Sequence, residues 1–162
     1  MAYCVKCGNT LTFKELKNEG MIPFCTKCNE YRFEAFNVAV SMVILNKDKD
    51  KTLFIEQYGK QMKVLVAGYV NKGETAEDAV KRELFEEVGL NVHSMKFQIS
   101  KYHEPSNTLM LNYLVIVEDI MVLKNYEVDR FDWYSLEEAY NLTNVGKLAK
   151  EFYDYFYEVN NV

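Results

Sequence analysis

Residues 68–90 read GYVNKGETAEDAVKRELFEEVGL, and this stretch constrains the fold more than any other. Its middle is a helix with both ends marked. Thr75 with Asp78 three positions on is a capping signal, and Gly89 is a stop. Inside the helix Glu83, Glu86 and Glu87 stand at i, i+3 and i+4, within an arc of about 100°. Like charges at that spacing destabilise a helix, by roughly 0.2–0.5 kcal/mol per pair, so something must offset the repulsion. A group of carboxylates on one helix face is a hard-oxygen site suited to Mg2+ or Mn2+. Arg82 can hold a neighbouring glutamate in a charge-assisted contact. Val80 and Leu84 lie to one side of the acidic face and can anchor the helix on a sheet.

The remainder of the chain supplies that sheet. Residues 37–45 read as a buried central strand, "NKDKDK" as a charged turn, and "TLFIEQ" as a returning strand. "KVLVAGYV" is a third extended run, broken by Gly68. "VHSMKFQISKY" and "TLMLNYLVIVE" flank the polar turn "HEPSN". A short strand "DRFDWYS", a short helix "LEEAYNL" and a longer helix "VGKLAKEFYDYFYEV" follow. Strands before and after one central helix, with helices closing the chain, give a mixed α/β layered domain rather than a regular βαβ series.

All four cysteines precede this domain, as Cys4-x2-Cys7 and Cys25-x2-Cys28 with residues 8–24 between the pairs. The gap falls inside the roughly 15–20 positions of the four-cysteine zinc pattern. The intervening "LTFKELKNEGMIPF" reads as a hairpin carrying the chain from one knuckle to the other. Two disulfides are the alternative, which a cytosolic setting disfavours. Four thiolates leave no open coordination position, so such a zinc is structural and supplies folding energy to a segment too small for its own core.

Composition narrows the function classes. With 162 residues and 49% hydrophobic content the chain can bury a sizeable core. A net charge of −5 disfavours a nucleic-acid binder working by phosphate neutralisation, although a bridging cation lets an acidic protein bind a polyphosphate. No run approaches the roughly 18 apolar residues of a membrane span. "MAYCVKCGNT" lacks the basic region and apolar block of a secretory signal. The expectation is a soluble, cytoplasmic protein with no membrane partner.

Written as a pattern, residues 68–90 are G-x5-E-x7-R-E-U-x-E-E-x-G-U, with U a bulky aliphatic residue. This resembles the signature of the Nudix hydrolases, which cleave nucleoside diphosphates linked to another moiety. The resemblance implies a Nudix α/β/α sandwich with a mixed β-sheet, preceded by a small Cys4 zinc ribbon. The ribbon would span residues 1–35 and the Nudix domain residues 36–162. It also implies that Glu83 and Glu87 lead the Mg2+ or Mn2+ ligands, that Glu86 completes the cluster, and that Glu74 and Arg82 support it. Which carboxylate is the general base stays open.

A four-cysteine ribbon before a Nudix domain is similar to the NAD(H) pyrophosphatase branch. "LVAGYV" resembles that branch's "AGF" segment, with Tyr69 at the aromatic position. "VGKLAKEF" is similar to its "SIA" segment, and "EVDRFDWYSLEEA" to its "EI…WF" passage, where Glu127 would be a further metal ligand. Against the specificity motif S-Q-P-W-P-F-P-x-S-L-M this chain has "SKYHEPSNTLM". Ser100, Leu109 and Met110 agree and Thr108 replaces a serine, while Lys101, Tyr102 and His103 replace the aromatic, proline-rich centre. The implied reaction is hydrolysis of a pyrophosphate, NAD(H) yielding two mononucleotides. ADP-ribose or another nucleoside diphosphate derivative is the alternative substrate. A nucleotide sensor and an RNA-binding protein are the other classes; the intact glutamate set argues against the first and the charge against the second. Gly68 and Tyr69 are expected at the substrate, Tyr69 either stacking on a nucleobase or nicotinamide or packing at a strand end. Tyr31 would line the base pocket or pack between domains, and His103 would meet phosphate or ribose or sit on a solvated loop. Trp133 is expected in the core. The aromatic stripe Phe152, Tyr153, Tyr155, Phe156 and Tyr157 belongs to the core or to the interface of a homodimer.

Overall fold

The computed structural model describes residues 2–118 and 128–160. The chain divides into two compact units, Met1–Phe36 and Asn37–Val162.

The first unit is a three-stranded antiparallel sheet in the order β1 (Thr12–Leu16), β2 (Gly20–Cys25), β3 (Glu30–Tyr31). Asn18 and Gly20 turn the β1–β2 hairpin with φ of 71° and 82°, values that favour residues with little steric demand. Its buried side chains are few. Cys4, Phe24 and Cys25 are buried, and Phe24 meets Tyr31 edge-on at 5.0 Å.

The second unit is built on β4 (Asn37–Leu45), β5 (Lys51–Gln57), β6 (Val66–Tyr69), β7 (Val92–His103), β8 (Thr108–Val117) and β9 (Val128–Ser135). The strand order is β7-β8-β4-β5-β9, with β6 pairing β4. β4 and β8 run parallel while the other pairs are antiparallel, so the sheet is mixed. Among the described residues three α-helices pack on it: α1 (Ala76–Val88), α2 (Leu136–Tyr140) and α3 (Lys147–Asn160).

The two-residue alternation of β4 decides what lies on each face. Val40, Met42 and Ile44 pack into one core with Val80, Leu84 and Val88 of α1. Val43 and Leu45 pack into a second core with Ala149, Phe152, Tyr153 and Phe156 of α3. A strand buried on both faces reads as a continuous apolar run. The aromatics of α3 that are fully buried are therefore core. Trp133 packs against the α1-side core while remaining half-buried. Among the described residues no helix is long and apolar enough to cross a membrane.

Gly68 lies inside β6, opposite Val40, instead of breaking the strand. The reason is steric and local. A Cβ at position 68 would stand 1.9 Å from the carboxylate carbon of Glu83, so the strand keeps a glycine where the helix side chain crosses it.

Candidate active site and cysteine cage

Helix α1 is fixed at both ends before it presents any chemistry. The Thr75 hydroxyl accepts from the Asp78 N–H at 3.1 Å, and Gly89, at φ 69°, donates its N–H to the Phe85 carbonyl. Leu84 and Val88 face the core, which turns Arg82, Glu83, Glu86 and Glu87 toward β6 and the end of β5.

Arg82 is the centre of this face. A guanidinium carries five N–H donors, and five contacts use them. Nε and Nη2 grip both oxygens of Glu74 at 2.8 and 3.0 Å. Nη1 reaches Glu83 Oε1 at 2.6 Å and Glu86 Oε2 at 3.0 Å. Nη2 also donates to the Tyr69 carbonyl at 2.9 Å, tying the helix to β6. Glu74 additionally accepts the Asn71 N–H at 3.0 Å. The Arg82 contact, then the Asn71 N–H, hold its carboxyl down to about 2, so Glu74 stays ionised.

Glu87 is only 5% exposed, and its Oε2 accepts from Gln57 Nε2 at 3.1 Å. The structure thus gathers Glu74, Arg82, Glu83 and Glu86 into one hydrogen-bonded group with the Tyr69 carbonyl. Gly68 lies against the Glu83 carboxylate, and Glu87, next to Glu86, is held from β5. Four carboxylates share this face with one guanidinium, and hard anionic oxygens in excess of positive charge suit a divalent cation of the Mg2+ or Mn2+ type. The ligand atoms are not drawn into a cage: among the described residues, the cysteines alone form a group whose ligand atoms all lie within 4.8 Å of one another.

Other expected contacts fall elsewhere. Tyr69 is 56% exposed, and strand alternation puts its side chain on the face opposite Gly68. That face carries a cavity of about 320 Å3 lined by Ala67, Ser41, Met110, His103, Leu148 and Phe152. His103 sits at the end of β7 with Nδ1 2.8 Å from the Ser106 hydroxyl. Beside this cavity Asn112, fully buried, donates to Ser41 and accepts from Gln98. Tyr31 belongs to the first unit, where its hydroxyl donates to the Glu15 carbonyl at 2.8 Å. Glu127 lies outside the described residues.

In the first unit the four cysteines are free thiols that converge. Cys4 Sγ lies 3.9 Å from Cys28 Sγ, and Cys7 Sγ 3.5 Å from Cys25 Sγ. Four sulfurs bound tetrahedrally at 2.3 Å would stand about 3.8 Å apart, so the cage has the dimensions of a single-metal site. Arg32 donates Nε to Cys4 Sγ at 3.3 Å and pairs with Glu30, which also holds Lys6. Burial pushes the Cys4 thiol up, but Arg32 and the N–H groups of Lys6 and Cys7 bring it down to about 6. Cys28 is pushed up to about 12, chiefly by Cys7.

Two residues in these sites carry no sequence signal of their own. Arg32 follows the second cysteine pair by a few positions, and a basic residue there is a hint at most. Gln57 is a lone amide at a strand end, and only the fold brings it to Glu87.

Comparison with known proteins gives a consistent result. The family model described as "NUDIX domain" matches residues 35–156. Among curated proteins, the chain is similar to the NAD-capped RNA hydrolase NUDT12 of Homo sapiens, 27% identical over 156 residues, covering 90% of this chain and 33% of that protein. It is similar to Nudix hydrolase 19, chloroplastic, of Arabidopsis thaliana, 29% identical and covering 91% of this chain and 35% of that one. It is also similar to the NAD-capped RNA hydrolase NudC of Vibrio parahaemolyticus, 23% identical and covering 93% and 57%. The chain therefore spans between a third and just over half of the length of these relatives. Among solved structures, a NUDIX hydrolase from Nitrosomonas europaea superimposes with a TM-score of 0.69 at 15% identity, covering 99% of this chain and 93% of that one. The NUDIX domain of Shewanella oneidensis NrtR, complexed with ADP ribose, superimposes with a TM-score of 0.67 at 14% identity, covering 85% and 94%.

Proposed function

The chain belongs to the Nudix family, and we propose that it hydrolyses the pyrophosphate bond of a nucleoside diphosphate derivative, with NAD(H) as the preferred class of substrate. The observation that carries this reading is the α1 face, where Arg82 organises Glu74, Glu83 and Glu86 and Glu87 is held alongside by Gln57. Water attacks one phosphorus, the bond to the bridging oxygen breaks, and two mononucleotides leave. Glu83, Glu86 and Glu87 hold Mg2+ or Mn2+, and Glu127 is a further ligand by resemblance. The divalent ion supplies charge neutralisation and polarisation at the phosphoryl oxygens. Arg82 and Glu74 act through the other carboxylates: the bidentate pair fixes the guanidinium, which then sets the positions of Glu83 and Glu86. Gly68 leaves the space that the Glu83 carboxylate occupies.

The cavity beside Ala67 is the place for a ring. Its walls are mostly apolar, with Ser41, His103 and Lys147 as polar groups, and Tyr69 stands on the same face of β6. Stacking of a base on an aromatic contributes about 1–3 kcal/mol. Holding one ring there while the diphosphate meets the glutamates positions the scissile bond. The cysteine cage would hold a structural Zn2+ as four thiolates, and cysteines kept out of disulfides fit a reducing, cytoplasmic setting.

A second reading is that the NAD is the cap of an RNA, because relatives along most of this chain carry that activity in their names. The net charge of −5 gives RNA no general attraction, so any preference for capped RNA must arise near the cap. The test is product analysis by chromatography with Mn2+ or Mg2+, using NADH, NAD+, ADP-ribose, a diadenosine polyphosphate, nucleoside triphosphates and NAD-capped RNA. Mononucleotides from NADH or NAD+ are expected, with turnover abolished in Glu87→Gln while the fold is retained. Faster cleavage of the capped RNA than of free NAD moves the assignment to the second reading. Binding of a nucleotide with no cleavage rejects both.

A further inference from the structure

Row by row along β5, the side chains facing α1 are Leu53, Ile55 and then Gln57. The first two are fully buried in the α1-side core, and the row turns from hydrocarbon to amide where it meets Glu87. Three features fix the amide there. β5 pairs with β9 in step from Lys51↔Ser135 to Glu56↔Arg130, and then slips so that Gln57 falls opposite Val128. The extra residue of that bulge, Asp129, reaches across to take the Gly59 N–H at 2.6 Å. Tyr58 and Gly59 both adopt left-handed backbone, with φ of 56° and 68°, which ends the strand immediately after Gln57. Bulges of this kind re-aim or terminate a strand next to a site.

The chemistry of the contact is specific. A carboxylate as buried as Glu87 must be hydrogen-bonded, and a basic partner would meet that need by cancelling its charge, as Arg82 does for Glu74. An amide donor meets it without itself cancelling that charge. We propose that Gln57 is the positioning residue for Glu87, orienting its carboxylate toward a divalent cation without neutralising it. This rests on the pyrophosphohydrolase reading above.

The experiment measures Mn2+ binding directly, by electron paramagnetic resonance of the free ion, alongside kcat and KM for NADH. Gln57→Met keeps the side-chain length and removes the donor; Gln57→Ala carries the same expectation should the thioether disturb folding, which circular dichroism checks. Loss of a group that orients a metal ligand costs roughly 10–100-fold in metal affinity or activity. The expected result is a weakening of Mn2+ binding in that range, with kcat lowered and the KM for NADH held. Wild-type Mn2+ affinity in the folded variant overturns the proposal and leaves the enzymatic reading intact. Weakened Mn2+ binding in a protein that cleaves no pyrophosphate supports the role of Gln57 and rejects the enzymatic reading. Absence of Mn2+ binding in the wild type removes both.

Discussion

The Glu74 carboxyl makes the clearest statement about charge at the level of single residues. Gripped by both ends of the Arg82 fork and by the Asn71 N–H, it titrates at about 2 in the folded chain, against an ordinary value of 4.5. A folded-state value below the unfolded one means that the contribution to stability is present above the unfolded value and disappears as pH falls through the folded one. The Glu74–Arg82 clasp is therefore complete at pH 6, begins to weaken below about pH 4.5 and is lost near pH 2. Thermal melts of the wild type and Glu74→Gln test this. The difference between them should shrink steadily on acidification through that window; a constant gap would show that the clasp does not respond to the carboxyl's ionisation. The sequence displayed the three helix glutamates by their spacing, and Glu74 and Arg82 through the resemblance of the longer pattern to the Nudix signature. It did not display the five-way use of Arg82, which depends on Tyr69 and Glu74 arriving from outside the helix.

At the level of elements, the site is a crossing between α1 and β6, and Gly68 sets how close the two come. Gly68→Ala would place a methyl within 1.9 Å of the Glu83 carboxylate. The clash is with the end of a flexible side chain, so the strand and helix should survive while Glu83 swings away. A displacement of about 1 Å at reacting groups can cost about 100-fold in rate. Activity should fall by that order with the melting temperature nearly unchanged, and a variant that keeps its rate would show that Glu83 has room to spare. Nearly all the elements were legible, because each has a strong period or a marked end: β4 through its apolar run, α1 through Thr75 and Gly89, the ribbon hairpin through its flanking cysteine pairs. The parallel pairing of β4 with β8 and the bulge opposite Gln57 were not. Both follow from which strands become neighbours, and local patterns carry no information on that. The same limit applies to Tyr69: its aromatic character is visible in the sequence, but which face it takes depends on the register with Ala39.

Across the whole molecule, the two units are stabilised by different means. Asn37–Val162 has a core on each face of its sheet, whereas Met1–Phe36 buries little beyond Cys4, Phe24 and Cys25. Metal binding is then folding free energy for the small unit. Metal analysis of the purified protein should find one Zn2+ per chain, and a strong chelator should abolish hydrogen-exchange protection in β1 and β2 while β4 and β8 keep theirs. A protein without zinc, or a ribbon protected after chelation, would count against the cage as a metal site. The parallel pairing of β4 with β8 also has a consequence in time. Ser41 and Asn112, buried partners across that pairing, are 71 positions apart. At synthesis rates of about 5–20 residues per second, the ribosome needs roughly 4–14 seconds to deliver β8 after β4. Throughout that interval one of the most apolar strands of the chain lacks its principal neighbour, while the cysteine hairpin ahead of it already has every residue it needs to close.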